Sequence, residues 1–313
     1  QQKHLTELFV KMGAFPTHCC SPYLVGHVPR FGEHCCWGES SAVIYANSIL
    51  GARTNRNGGP VGLAASLTGV VPAYGYHLEE NRYGQIIVEV EAKMNEVSDY
   101  GVLGFYVGEI VSDGVPIFTG LSTDVSNDAL KQLGSALATT GAVALFHVIE
   151  VTPEAPTLKS AMGPRKPEKI IKVAEREIRE TAKRLRADLT ENFSLVFIGC
   201  PHASIQEIEE IARFLEGQKI KKGIEFWIQT GLPIKTLAKR CGLLSIIEEA
   251  GAWIICDTCP AHAFLPEFRK KKRYKAMVTN SPKMAHYAWN MGKLPTAVYG
   301  VKDCIKIALT GHA

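Results

Sequence analysis

Apolar and polar positions follow two different rhythms along this chain. Up to about residue 150 the pattern is irregular. Residues 1–60 are rich in Gly, His, Cys and short polar turns, and Glu39–Leu50 reads as a short buried helix of small residues. Residues 61–69 are again small and apolar, and Pro72 and Gly75 then break the pattern. From Gln85 onward, period-two alternation predicts strands at 86–90 and 102–107, a helix over 126–137 and a buried strand over 142–148. Four prolines between Val151 and Pro167 mark an expected domain boundary. Beyond it the rhythm is regular. A long charged helix is predicted over Pro167–Ala187, with its proline in the first turn. Strand 194–199, helix 204–216, strand 224–229, helix 233–249 and strand 252–256 follow. Strand 276–279, helix 282–290, strand 296–299 and helix 301–309 close the chain. Strands alternating with helices predict an α/β fold of doubly wound, mainly parallel sheets with helices on both faces. The expected division is 1–150, 151–273, and a C-terminal segment 274–313 that completes the site.

Composition narrows the class. With 313 residues, 46% hydrophobic and 21% charged, the chain is globular and long enough for two or three domains. A net charge of +4 is too small for a nucleic-acid footprint and suits a small anionic substrate. The basic run Arg269–Arg273 reads as a solvated loop. Nine cysteines, an odd number with adjacent pairs at Cys19-Cys20 and Cys35-Cys36, argue against a secreted disulfide framework and for the reducing cytosol. No apolar run is long enough for a membrane span. The start at Gln1 without Met leads us to expect that an N-terminal portion is missing.

Three cysteines stand at what look like strand ends beside proline turns: Cys20 before Ser21-Pro22, Cys200 before Pro201-His202, and Cys259 before Pro260. Ligands bind at such ends in open α/β sheets. Thiols there suggest a soft-metal site, with an iron–sulfur cluster the leading candidate, although any one cysteine can equally be a small buried hydrophobe. The latter reading covers Cys19, Cys35, Cys36, Cys241 and Cys304. The loop Arg53–Gly59 offers two arginines, Asn55, and the pair Gly58-Gly59. It reads either as an anion cradle of guanidinium forks and backbone N–H groups or as a helix C-terminus. Ser281 and Lys283 open a helix, either as an anion site or as an ordinary cap. His202 either moves protons or caps the next helix. Glu39-Ser40-Ser41 and Tyr74-Gly75-Tyr76-His77 lie near Gly-rich turns and are polar enough to line a site.

Taken together, these segments resemble the aconitase X family. The matching stretches are Cys20–Leu24, Phe31–His34, Glu39–Ser48, Gly51–Arg56 with Gly58–Pro60, and Tyr74–His77. Gly199–His202, Asp257–Cys259, Thr279–Ser281 with Lys283, and Leu309–Gly311 continue the match in order. Cys35-Cys36 departs from the family pattern. The resemblance implies a hydro-lyase that removes water from a hydroxy acid, with an iron–sulfur cluster (4Fe-4S or a smaller form) as Lewis acid on Cys20, Cys200 and Cys259. It implies substrate binding by Arg53, Asn55, Arg56, Gly58, Gly59, Ser281 and Lys283, and a catalytic base among Ser40, Ser41, His77 and His202. Two activities belong to the family. One is dehydration of mevalonate 5-phosphate to trans-anhydromevalonate 5-phosphate in isoprenoid biosynthesis, by a large and a small subunit. The other is dehydration of cis-3-hydroxy-L-proline, often by a fused chain. The end just after Gly311 leads us to expect the two-subunit form, with a small swivelling-domain partner and the phosphorylated substrate. A non-catalytic metal-binding α/β protein is the alternative of another class.

Overall fold

The computed structural model describes residues 1–189, 192–260, 271 and 274–313. Apart from Lys271, the basic run Arg269–Arg273 therefore lies outside the described residues.

Two parallel sheets carry the fold, as the alternating rhythm predicts. The first has the order β3-β2-β1-β4, built from β1 (Ile86–Val90), β2 (Pro116–Thr119), β3 (His147–Val148) and β4 (Lys169–Val173). The second has the order β7-β6-β5-β8-β9. Its strands are β5 (Phe193–Ile198), β6 (Glu225–Gln229), β7 (Trp253–Ile255), β8 (Ala276–Thr279) and β9 (Thr296–Val298). Every pairing is parallel, with β5 central between β6 and β8. Helices cover both faces of each sheet, which a parallel sheet requires to keep its apolar strands out of water.

Before the first sheet come α1 (Gln2–Lys11), α2 (Ser40–Ser48) and α3 (Gly59–Thr68). α1 and α3 bury no residue, and leave Leu5, Phe9 and Leu67 exposed, as is Phe15 in the loop after α1. The first sheet packs on α4 (Val97–Val111), α5 (Asn127–Thr140) and α7 (Glu175–Arg186), with the short α6 (Leu158–Met162) on its other side. The second sheet packs on α8 (Ile205–Leu215), α9 (Leu232–Arg240), α10 (Leu243–Ala250) and α12 (Val301–Thr310) on one face. On the other face lies α11 (Pro282–Asn290). Among the described residues no helix is long and apolar enough to cross a membrane.

The structure differs from several expectations. Residues 102–107 are not a strand but the middle of α4. The Asp99 carboxylate accepts the Glu96 N–H at 3.0 Å and starts the helix there. Glycine at 104 lets α4 lie so close to α5 that a Cβ would strike the Leu133 carbonyl. A helix apolar on all sides is a buried helix, and its sequence mimics alternation. The long helix over 167–187 is instead β4 followed by α7. β4 is an edge strand, and Lys169 and Lys172 on its exposed positions disguise the β-branched Ile170, Ile171 and Val173. The helix over 233–249 divides at Gly242, whose φ of +77° ends one helix and starts the next. The strand over 142–148 pairs only at 147–148. Because β4 joins the first sheet, the change from one sheet to the other falls between Arg186 and Phe193, not at 151–167. Residues 274–313 supply β8, β9 and α12 to the second sheet rather than a separate segment.

Candidate active site

The parallel strands β5, β6 and β7 are neighbours, so their C-terminal ends share one edge of the second sheet. β5 runs into Gly199, at φ +111°, where a side chain would collide with the Gln229 backbone of β6. Only glycine lets the chain turn there and deliver Cys200 and His202. β7 runs into the loop holding Cys256 and Cys259. Cys20 arrives from the loop ahead of a short turn at Pro22–Leu24.

Cys20 and Cys259 lie near enough to Cys200 to bear on its thiol. Burial pushes the Cys200 thiol up to about 12, and Lys283 opposes this while Cys20 and Cys259 add to it. Burial and then Glu39 raise Cys20, against Lys283 and the backbone N–H of His202. Among the described residues no three His, Cys, Asp or Glu side chains converge closely enough to hold a single ion. A donor set of thiols alone, spaced on three loops, suits a cluster, whose irons take one thiolate each. Of the remaining cysteines, Cys304 is buried, as its reading had it, whereas Cys241 is exposed at the end of α9.

Beside the thiols lies a charged group built from α2 and α11. Glu39 is the N-cap of α2 and accepts the Ala42 N–H at 2.9 Å. Lys283, in the first turn of α11, donates to Glu39 Oε1 at 2.5 Å, to Ser41 Oγ at 3.1 Å and to Ser40 Oγ at 3.3 Å. Ser41 Oγ in turn donates to Glu39 Oε2 at 2.5 Å. Burial disfavours both charges, yet each partner outweighs it. Glu39 is held below the usual carboxylate range, and Lys283 well above the usual lysine range. Ser40, Ser41 and Lys283 thus meet, and Glu39, until here only a lining candidate, gains a role as the carboxylate that joins them. Its signal was a Glu placed directly before a helix, a common cap position. All three Lys283 N–H donors are engaged here, so its expected direct grip on a substrate anion requires an exchange of partners.

The remaining candidates are spread out. Ser281 is a buried N-cap, accepting the Met284 N–H at 3.1 Å. The loop 53–59 opens α3, with Gly58 as N-cap, rather than ending a helix. Arg53 donates to the His77 carbonyl at 3.1 Å and pairs with Glu79. Asn55 is spent on backbone, donating to the Tyr74 carbonyl at 3.0 Å and accepting the Tyr76 N–H at 2.8 Å. Its amide therefore shapes the 74–76 turn instead of facing a ligand. Arg56 is exposed and has no ion-pair partner among the described residues, and Gly59 faces open space. His77 bonds His34 at 2.8 Å between Nδ1 atoms, and its contacts do not include the thiols or Lys283. Burial first, then His34, Arg82 and Arg53, lower its pKa. His202 is buried among the thiol loops. Asn280 Oδ1 and Thr258 Oγ1 are buried without a hydrogen-bond partner among the described residues.

Arg82 was missed altogether. It is 2% exposed and binds Glu154 through two contacts of 2.7 Å, together with the carbonyls of Asn47, Ala52 and Tyr76. This knot fixes the segment that leads into Arg53–Gly59.

A parallel-sheet edge with Cys20, Cys200 and Cys259 beside a partly buried Lys–Glu–Ser group marks an α/β protein with a candidate site at its strand ends. Family models place it further. Aconitase X first domain matches residues 1–80, Aconitase X second domain 84–183 and Aconitase X third domain 193–310. The chain belongs to the aconitase X family. It is 40% identical over 312 residues to the phosphomevalonate dehydratase large subunit of Methanocaldococcus jannaschii, covering 98% of this chain and 75% of that one. It is 34% identical to the cis-3-hydroxy-L-proline dehydratase of Pseudomonas aeruginosa, covering 99% of this chain and 53% of the relative. The crystal structure of Thermococcus kodakaraensis aconitase X in its holo form superposes with a TM-score of 0.88 at 38% identity, over 98% of this chain and 76% of that chain.

Proposed function

We propose that this chain is the large subunit of an iron–sulfur-dependent dehydratase that removes water from mevalonate 5-phosphate. The observation that carries the chemistry is the meeting of Cys20, Cys200 and Cys259 with the Glu39–Ser41–Lys283 group at one sheet edge. The substrate choice is supported by relatives named phosphomevalonate dehydratase large subunit at 37–42% identity, each matched over more than two-thirds of its length. The proline dehydratases match at 34%, over about half of theirs.

Elimination of a β-hydroxyl needs a base for the proton next to the carboxylate and an electrophile for the departing oxygen. When bound on the three thiols, the cluster supplies a Lewis acid for that oxygen. Ser41 Oγ takes the substrate proton while its own proton passes to Glu39 Oε2, already at hydrogen-bond distance. Lys283 keeps Glu39 ionised beforehand and holds both serines in place. Arg56 and the N-terminus of α3 at Gly58-Gly59 face a distal phosphate or carboxylate. The name "large subunit" borne by these relatives supports a small partner subunit that covers the site. Water exclusion strengthens each of these contacts. Anaerobic reconstitution with the candidate small subunit, followed by assay on both substrates, tests the proposal. Turnover of the proline derivative alone replaces the substrate assignment; turnover of neither removes the enzymatic reading.

A further inference from the structure

His202 carries three connections at once. Its ring Nδ1 lies 3.1 Å from Cys19 Sγ, and its Nε2 lies 3.0 Å from Gln229 Nε2. Its backbone N–H reaches Cys20. Gln229 sits at the end of β6, and the same amide nitrogen donates to the Thr258 carbonyl. That carbonyl can only accept, so the contact fixes which end of the Gln229 amide is nitrogen. Both amide N–H groups are then donors, one to Thr258 and one to His202 Nε2. The ring must accept at Nε2, and therefore carries its proton on Nδ1, pointing at Cys19 Sγ. Cys19 Sγ also accepts the Ser21 N–H at 3.3 Å. The Gln229 carbonyl closes the circuit by accepting the Ala203 N–H at 2.9 Å.

We infer that His202 and Gln229 are positioning residues that tie the three thiol loops together, and that His202 is not the proton-transfer group. Both nitrogens of its ring are spent: one holds the loop of Cys20, and the other, through Gln229, the loop of Cys259. Its own segment carries Cys200. The clamp has a physical reason. Three thiolates held at one site repel one another. A neutral imidazole and a neutral amide hold the loops at the right spacing without adding charge. This assignment rests on the reading that Cys20, Cys200 and Cys259 bind the cluster. A partner that orients metal ligands typically contributes about 10–100-fold to metal affinity.

The test uses anaerobically reconstituted full chain, with iron and labile sulfide counted before and after exposure to a ferrous chelator. Cys200→Ser serves as the control for the cluster reading itself. His202→Asn keeps a donor near Cys19 but loses the link to Gln229; Gln229→Leu keeps the bulk and removes both N–H groups. Both variants are expected to bind iron at first and release it about 10–100-fold faster than wild type, with an altered visible spectrum, in step for the two. A His202→Asn protein that holds iron as firmly as wild type, with an unchanged spectrum and lost turnover, would make His202 a proton-transfer residue and overturn the inference. So would a Gln229→Leu protein with wild-type iron release. If wild type binds no iron, or if Cys200→Ser binds it normally, the cluster reading falls first and this inference with it.

Discussion

Replacing Lys131 by methionine isolates the device that joins the two sheets. Lys131 lies on α5, over the first sheet, and its side chain is 1% exposed. It donates to Asp128 at 2.8 Å on its own helix, to Glu207 on α8 of the second sheet, and to the His202 carbonyl at 3.3 Å. Ser204 completes the knot, donating its hydroxyl to Asp128 at 2.7 Å and its N–H to Glu207 at 2.9 Å. Burial works against the Lys131 charge, but Glu207 and Asp128 outweigh it and hold the ammonium above its usual range, whereas burial of Glu207 outweighs Lys131 and raises that carboxyl, so the ammonium is what keeps it ionised. Lys131→Met therefore leaves two carboxylates facing each other. Removing one member of a buried pair costs about 3–5 kcal/mol. Asp128 keeps 20% of its side chain in water, which favours the lower part of that range, about 3–4 kcal/mol. At about 3 kcal/mol per molar, the urea midpoint falls by roughly 1 M, followed by tryptophan fluorescence. Adding Glu207→Gln should return part of the loss, since the surplus charge goes with it. A Lys131→Met midpoint within experimental error of wild type would show that the triad does not hold the two sheets together.

Further outcomes follow from the same geometry. Ser41→Ala should lower kcat by about 100-fold or more, the usual loss for a positioned acid–base group, with little change in KM; steady-state kinetics that show the reverse would place Ser41 in binding. Arg56→Lys should raise KM by at least tenfold, because an ammonium lacks the planar fork, and an unchanged kcat/KM would remove Arg56 from the site. Burial lowers the pKa of His147 and of His77, so both are neutral in the fold. Below about pH 6.5 the unfolded chain takes up protons that these folded imidazoles refuse. Stability should therefore fall as pH drops from about 6.5 through their lowered values, and His147→Gln should reduce that slope in denaturation series at stepped pH.

Much of the second sheet was legible because β5, β6 and β8 are apolar runs bounded by Gly, Pro and charged helices. The first sheet was harder. The α4 segment hides its helical period behind Gly101, Gly104 and Gly108, and β4 hides its strand behind lysines. At the candidate site, Ser40, Ser41 and Lys283, singled out from separate motifs, meet in one hydrogen-bonded group. Glu39 gained its role only from Lys283, 244 positions away in the chain, a distance over which no local pattern speaks. Gln229 and Arg82 were invisible for the same reason: an amide at a strand end and a lone arginine acquire meaning only from the carbonyls folded around them. Asn55 had read as a turn former or a substrate contact and His77 as a candidate base; the fold bonds Asn55 to the 74–76 backbone and His77 to His34.

This chain is proposed to dehydrate mevalonate 5-phosphate, with its small partner, on a cluster held by Cys20, Cys200 and Cys259. The most direct measurement is mass-spectrometric product analysis of that substrate after incubation with the anaerobically reconstituted pair, wild type beside Cys200→Ser. The account predicts loss of one water with wild type and unchanged substrate with the variant. Unchanged substrate from an iron-loaded wild-type pair, or equal product from Cys200→Ser, would contradict it.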